Sequence, residues 1–322
     1  MKINQKLQSI FLVAVVGTMI TFSSCKKDDD PIPAPPPPVV TPNVVGVAQG
    51  NANFTILVAA VTKAGLASAL SDATKSFTVF APTNAAFEAL PAPYNSVANI
   101  NAITSQTQID ALSDILKYHV LTAKVASGGV PASDTVKTLN GKNLFASRNG
   151  NGVFLNGIKV AIPDLAASNG VVHAIGKVLI PPTQTIAQIV IDGANFSLLE
   201  RAVIVGGLAT TLSGPGKFTV FAPLNSGFPA ALDTEAEINL FDPTALATVV
   251  KSHAFSTNIA AGDLVSGNTP ATLNPLAILT IGLTTTPPTV KINGSANTAS
   301  GIEATDIIAT NGIIHVINKL LQ

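Results

Sequence analysis

Apolar positions along this chain follow two periods, and the switch from one to the other occurs twice. Through Asn53-Phe54-Thr55-Ile56-Leu57 and on to Ala60, Val61, Leu66 and Leu70, the spacing predicts a helix with one buried face. Phe77-Thr78-Val79-Phe80-Ala81 then reads as a strand that stops at Pro82, after which a polar cap opens another helix. Ile109, Leu112, Ile115, Leu116 and His119 return to helical spacing, as do Leu246, Val249, Val250 and His253 behind an Asp242-Pro243 start. The stretches Gly152–Val160 and Thr289–Gly294 have the alternation of hairpin strands with Asn-Gly turns. Helices come first and strands later, which predicts an α+β fold.

Laying residues 53–179 over 195–321 exposes an internal repeat with a period of about 142 residues. Asn53-Phe54-Thr55-Ile56-Leu57 recurs as Asn195-Phe196-Ser197-Leu198-Leu199. The segment from Phe77 to Phe87 recurs from Phe218 to Phe228, with Leu224 in place of Thr83. Asn169-Gly170-Val171-Val172-His173 recurs as Asn311-Gly312-Ile313-Ile314-His315. Each half is long enough to bury a core of its own.

The beginning of the chain has a different character. Lys2 and Lys6 precede an apolar run from Phe11 to Ile20, too short for a stable membrane span and of the form expected for a secretory signal. Ser23 and Ser24 lead into Cys25, the one cysteine in the chain, so a disulfide within the chain is excluded. The site is similar to a bacterial lipobox, with Phe22 where leucine is more usual, which implies lipid attachment at Cys25. Lys26-Lys27-Asp28-Asp29-Asp30 and the proline-rich stretch 31–38 cannot bury a core and favour an extended stalk. At polyproline spacing, residues 26–43 would reach on the order of 50 Å. The basic-acidic run resembles export signals of surface lipoproteins in some Gram-negative bacteria. The expected location is therefore the cell envelope, lipid-anchored on the outer face of the outer membrane, with a periplasm-facing position as the alternative.

The expected boundaries are 1–24 for the signal peptide, 25–43 for the lipidated cysteine and stalk, and 44–182 and 183–322 for two domains. Composition narrows function more than fold. Charged residues make up 11% of the chain and the charges balance, so it has no electrostatic footprint for nucleic acid. Loss of Lys2 and Lys6 leaves 16 basic against 18 acidic residues. Tryptophan is absent and there are two tyrosines, which removes the usual sugar-stacking platforms. No Gly-x-Ser-x-Gly elbow or phosphate-binding glycine loop occurs, and two histidines per half with no second cysteine do not make a zinc set. No cofactor or catalytic residue is expected.

The blocks FTVFAPTNAAF and NGVVHAIGKVLIPP, with Tyr118-His119 between them, resemble the first box, Tyr-His motif and second box of the fasciclin-like domain. Both halves carry the blocks in that order, although Ser252-His253 leaves the Tyr-His motif incomplete in the second. The resemblance implies two tandem wedges, each a β-sandwich-like pair of sheets flanked by helices, in an extracellular or surface protein of adhesion and matrix contact. Asp164-Leu165 and Asp306-Ile307 resemble the receptor-contact pair of animal members, and Tyr118 is a candidate contact by resemblance to the Tyr-His motif. The bland readings are a loop carboxylate followed by an anchoring aliphatic, and a tyrosine covering the core. His119, His173, His253 and His315 are expected to be buried imidazoles satisfying backbone groups. The leading expectation is adhesion to an extracellular protein or matrix partner. Glycan binding is the alternative, and a hydrolase ranks behind both.

Overall fold

The computed structural model describes residues 41–293 and 299–322. The apolar leader, Cys25 and the proline-rich stretch lie outside the described residues, as does Gly294 of the expected Asn293-Gly294 turn. In the first repeat six helices, α1 (Val44–Gln49), α2 (Thr55–Lys63), α3 (Ala67–Leu70), α4 (Asn84–Glu88), α5 (Val97–Asn101) and α6 (Gln106–Tyr118), accompany seven strands. The strands are β1 (Phe77–Pro82), β2 (Val120–Leu121), β3 (Ser133–Lys137), β4 (Asn143–Asn149), β5 (Gly152–Leu155), β6 (Ile158–Ala167) and β7 (Gly170–Ile175). The second repeat has α7 (Ile186–Asp192), α8 (Ser197–Val205), α9 (Ala209–Ser213), α10 (Glu235–Leu240) and α11 (Pro243–Lys251). Its strands are β8 (Phe218–Pro223), β9 (Ala254–Phe255), β10 (Gly267–Ala271), β11 (Ile278–Gly282), β12 (Thr289–Ile292), β13 (Ser300–Ala309) and β14 (Gly312–Ile317).

Both repeats are mixed α+β units with the same sheet order, β2-β1-β7-β6-β5-β4-β3 in the first and β9-β8-β14-β13-β12-β11-β10 in the second. At the centre β1 pairs in parallel with β7, from Phe77 opposite Gly170 to Pro82 opposite Ile175. Every residue of β7 is buried, as expected of a strand covered on both faces. Val172 and Ala174 point into a core with Leu57, Ala60, Leu112 and Leu116 from the helices. Ile175 faces the opposite core, with Phe80, Leu144, Leu155 and Leu179. The expected pair of sheets is present as the two halves of one continuous seven-stranded order that turns at β6, where register shifts fall between Val160 and Ile162 and between Ile162 and Leu165.

The two kinds of Asn-Gly pair have different physical causes. Asn156 (φ 48°) and Gly157 (φ 78°) adopt the left-handed conformation that a tight hairpin turn between β5 and β6 demands. Asn169 and Gly170 do not, so the turn expected from the sequence is not of that kind. The Asn169 side chain is a buried clamp. Its Oδ1 accepts from the amide of Val44 at the start of α1 (2.9 Å), and its Nδ2 donates to the carbonyls of Leu70 (2.9 Å) and Asp72 (3.2 Å). Gly170 is required because a Cβ there would collide with the Phe77 carbonyl of β1. Asn311 repeats the clamp on Ile186, Leu212 and Gly214, and Gly312 repeats the close approach to Phe218.

The repeats diverge in two places. After β8 the expected helix is a single 3-10 turn, Asn225–Gly227, in a chain that reaches Pro229 two residues later and lacks an N–H there. Second, the outer face of β4 and β5 packs on the second repeat, and residues 41–322 form one compact unit. Phe145 joins Ala260 and Ile313 in a small core shared by both repeats. The Phe154 ring lies against Gly262, where a Cβ would strike it, and the Asp306 carboxylate lies against Gly157. Asn149 Nδ2 donates to the Gly262 carbonyl (2.7 Å) and to Asp263 Oδ1 (3.2 Å), while Lys217 pairs with Asp134 at 2.5 Å on the rim.

The Asn169 clamp generates the first prediction. Asn169→Ala strands a buried amide and two carbonyls, each costing about 1–3 kcal/mol, so urea denaturation should show a loss of at least about 2 kcal/mol, with a similar loss for Asn311→Ala. A change below about 0.5 kcal/mol in both would remove the clamp from the account.

Candidate functional site

The bulge in β6 puts Asp164 at φ 60° and turns its carboxylate toward the loop after β2. There Asp164 Oδ1 accepts from the Ser127 amide (2.8 Å) and Oδ2 accepts from the Ser127 hydroxyl. The hydroxyl bond, and then the amide bond, hold the Asp164 carboxyl below the usual carboxylate range. The same loop is tied to the sheet by the buried Thr78, whose hydroxyl donates to the Ala123 carbonyl (2.6 Å) and accepts from the Val125 amide (2.8 Å). The Asp164 amide donates to His173 Nδ1 (3.1 Å), so Nε2 carries the proton and donates to the Val125 carbonyl (3.0 Å). The result is an ionised carboxylate, 43% exposed in its side chain, on a rigid platform. Such a group is fit for charge-assisted recognition of a cationic or amide-donating partner.

The second copy is built alike but used differently. Asp306 (φ 59°) accepts from the Ala261 amide at 2.8 Å, and its own amide reaches His315 Nδ1 at 3.4 Å. Ala261 replaces Ser127, so the hydroxyl bond is lost, and the first repeat covers the carboxylate at Gly157. Asp306 is therefore a seam residue, not the open loop carboxylate that the sequence suggested. Leu165 and Ile307 are half-buried against the helix-side cores of their repeats. Tyr118 is corrected outright: it is fully buried, donating to the Asn143 carbonyl (2.8 Å) and accepting from Asn156 Nδ2 (3.0 Å). A side chain in that position cannot touch a partner; it fixes the β5–β6 turn against α6.

Each of the four histidines has both ring nitrogens engaged with backbone groups. His119 Nδ1 donates to the Ile115 carbonyl (2.8 Å) and Nε2 accepts from the Leu179 amide (2.8 Å). His253 repeats this with Val249 and Leu321, and His315 Nε2 donates to Ile259. Burial pulls His119 and His253 down to about 4, the Ile115 and Val249 carbonyls opposing only in part. Burial likewise lowers His315, against opposition from the Ile259 carbonyl and Asp306. Among the described residues no group of three or more His, Cys, Asp or Glu side chains is placed to hold a metal.

An open cleft of about 780 Å³ lies between the repeats. Lys159, Lys177, Gln184, Thr305 and Asp306 give it a mixed-charge wall beside Ile180. Its lysines were not singled out in the sequence, and neither were Ser127, Thr78, Phe145, Phe154 or Asn149. Only the two phenylalanines had a signal in the repeat, since the β11–β12 register puts Thr280 and Thr289 where the first repeat has Phe145 and Phe154.

The buried imidazoles carry a pH prediction. Their folded values lie near 4 against 6.5 for the unfolded chain, so the unfolded state takes up protons first and stability falls as pH drops from 6.5 toward 4. The loss is about 3 kcal/mol per histidine by the lower limit. Urea midpoints measured from pH 7.5 to 4.5 should fall steadily below pH 6.5. A flat profile across that range would mean that the imidazoles stay solvated.

The model of the fasciclin domain matches residues 52–181 and 194–322. Transforming growth factor-beta-induced protein ig-h3 of Sus scrofa is 31% identical over 251 residues, covering 76% of this chain, and this chain spans only 34% of that protein. Protein sll1483 of Synechocystis is 42% identical over 139 residues, covering 43% of this chain and 73% of that protein. A solved domain pair from the insect cell adhesion molecule fasciclin I covers 85% of this chain and 98% of that chain, at 21% identity and a TM-score of 0.40. With both halves matched in order and over most of its length, the chain belongs to the fasciclin domain family, as two tandem domains.

Proposed function

We infer that the chain is a non-enzymatic, lipid-anchored surface protein that mediates adhesion or contact with an extracellular protein or matrix partner. The lipobox-like site at Cys25 and the proline-rich stretch after it support display on a stalk from the cell envelope, on the outer face of the outer membrane. Membership of the fasciclin family supports adhesion, and two linked domains gain avidity when both engage.

The single observation that carries this reading is the difference between the two aspartates. Asp306 lies against Gly157 of the first repeat and is partly covered there, whereas Asp164, with the same backbone and the same histidine support, faces solvent. The first repeat therefore supplies the contact carboxylate, oriented by its own Ser127 and His173.

Metabolic labelling with a palmitate analogue should tag the wild type and leave Cys25→Ala unlabelled; equal labelling would remove the lipid anchor. The purified full chain should bind a cell or matrix surface. Asp164→Ala should weaken that binding roughly tenfold, the loss of a contact of about 1.4 kcal/mol, and Ser127→Ala should weaken it less. Unchanged binding in Asp164→Ala would discard the contact, and selective capture by glycans on an array would replace the protein or matrix partner with a sugar.

A further inference from the structure

Among the described residues, the buried side-chain oxygens that find no hydrogen-bond partner in the protein are Ser147 Oγ, Asn258 Oδ1 and Asp263 Oδ2. All three belong to the seam between the repeats. Ser147 is fully buried and Asn258 is 7% exposed, so neither reaches bulk water. An acceptor left unsatisfied in such a place costs about 1–3 kcal/mol, and three together call for an occupant.

The strand register places the three side chains together. On β4, Ser147 lies two residues before Asn149, on the same face of the strand, and Asn149 grips Asp263 through Oδ1. Directly opposite Ser147 on β3 is Ser133, whose hydroxyl donates to the Asn258 carbonyl at 3.4 Å. Ser147 thus shares its face of the sheet with Asn149, which holds Asp263, and with Ser133, which reaches the Asn258 backbone. The Ser147 hydroxyl lies beside the Asp263 carboxylate without the geometry of a hydrogen bond. A pocket of about 260 Å³ lined in part by Ser133, Asn258 and Asp263 lies at the same seam.

The charge in the seam is unbalanced. Asp263 is half-buried and Asp306 lies close enough to repel it, and among the described residues neither forms an ion pair with a lysine or arginine. Burial first, and Asp306 to a smaller extent, raise the Asp263 carboxyl above its usual range. A carboxylate, an amide carbonyl and a hydroxyl, all oxygens, match the ligands of a hard divalent cation with flexible coordination.

We propose that the inter-repeat seam binds a calcium ion through Asp263, Asn258 and Ser147, locking the second repeat onto β3 and β4 of the first. With one protein carboxylate as direct ligand the affinity belongs to the weak class, roughly 0.1–1 mM. The remaining coordination positions would be filled by water and by seam carbonyls. The ion would relieve the unpaired oxygens and the carboxylate repulsion together.

The test is thermal unfolding of the full chain, freed of metals with EDTA and titrated with calcium chloride at constant ionic strength. The wild type should gain several degrees in Tm, saturably, with magnesium giving a much smaller shift. Asp263→Asn should abolish the calcium response, and Ser147→Ala, a small change in a buried position, should weaken it roughly tenfold in concentration. Asp134→Asn, at the Lys217 pair on the rim, should respond like the wild type. A wild-type Tm indifferent to calcium up to about 10 mM, well above the weak class of sites, would overturn the proposal. Equal shifts with magnesium, or in Ser147→Ala, would do the same, because general screening of the two aspartates would then explain the effect.

Discussion

The parallel pairing of β1 with β7 is the constraint on which the rest of each repeat depends. Parallel neighbours cannot be joined by a tight turn, so the chain must make a long excursion between them. That excursion supplies α4 to α6 and the outer strands β2 to β6, all returning to a strand buried on both faces. Because β7 has no solvent face, each polar group in it must be satisfied inside. Asn169, just before it, closes the start of α1 and the end of α3. His173, within it, fastens the β6 bulge to the loop after β2. The exposed carboxylate of Asp164 is thus held by the same support that the central strand needs.

The seam between repeats is heterologous: the outer face of β4 and β5 on the first meets the loop after β9, together with β13, on the second. Such an interface leaves the complementary faces of a pair uncovered, and repetition of the contact could in principle build a fibre. The sequence stops this. Threonines replace both phenylalanines on the second repeat's outer face, so the apolar half of the contact is missing there. One face of the first repeat, carrying Asp164 and Ser127, keeps the geometry of the docking surface without the partner. Duplication has turned one structural motif into a joint in one copy and an exposed platform in the other.

The fold was legible in the sequence wherever a period was repeated. The helix from Thr55, the strand from Phe77, the helix behind Asp242-Pro243 and the strand after Gly170 all occur where the apolar pattern puts them. Identity of a dipeptide was a poorer guide than its surroundings, since Asn156-Gly157 is a left-handed turn while Asn169-Gly170 is a clamp and a close contact. Tyr118 misled for a related reason: its hydroxyl finds partners on β4 and in the β5–β6 turn, more than twenty residues away, which no local pattern reveals. The seam was hidden because its residues are ordinary strand residues in the first half and mostly loop residues in the second. Only their difference between halves, two phenylalanines against two threonines, carries the information.

The two fasciclin domains form one compact body, joined through Phe145, Phe154 and Asn149 of the first. Differential scanning calorimetry of the full chain and of Phe154→Asp tests it most directly. The account predicts one cooperative transition in the wild type, with calorimetric and van't Hoff enthalpies in agreement, and two separated transitions in the variant. Two independent transitions in the wild type, or a single unchanged one in Phe154→Asp, would contradict it.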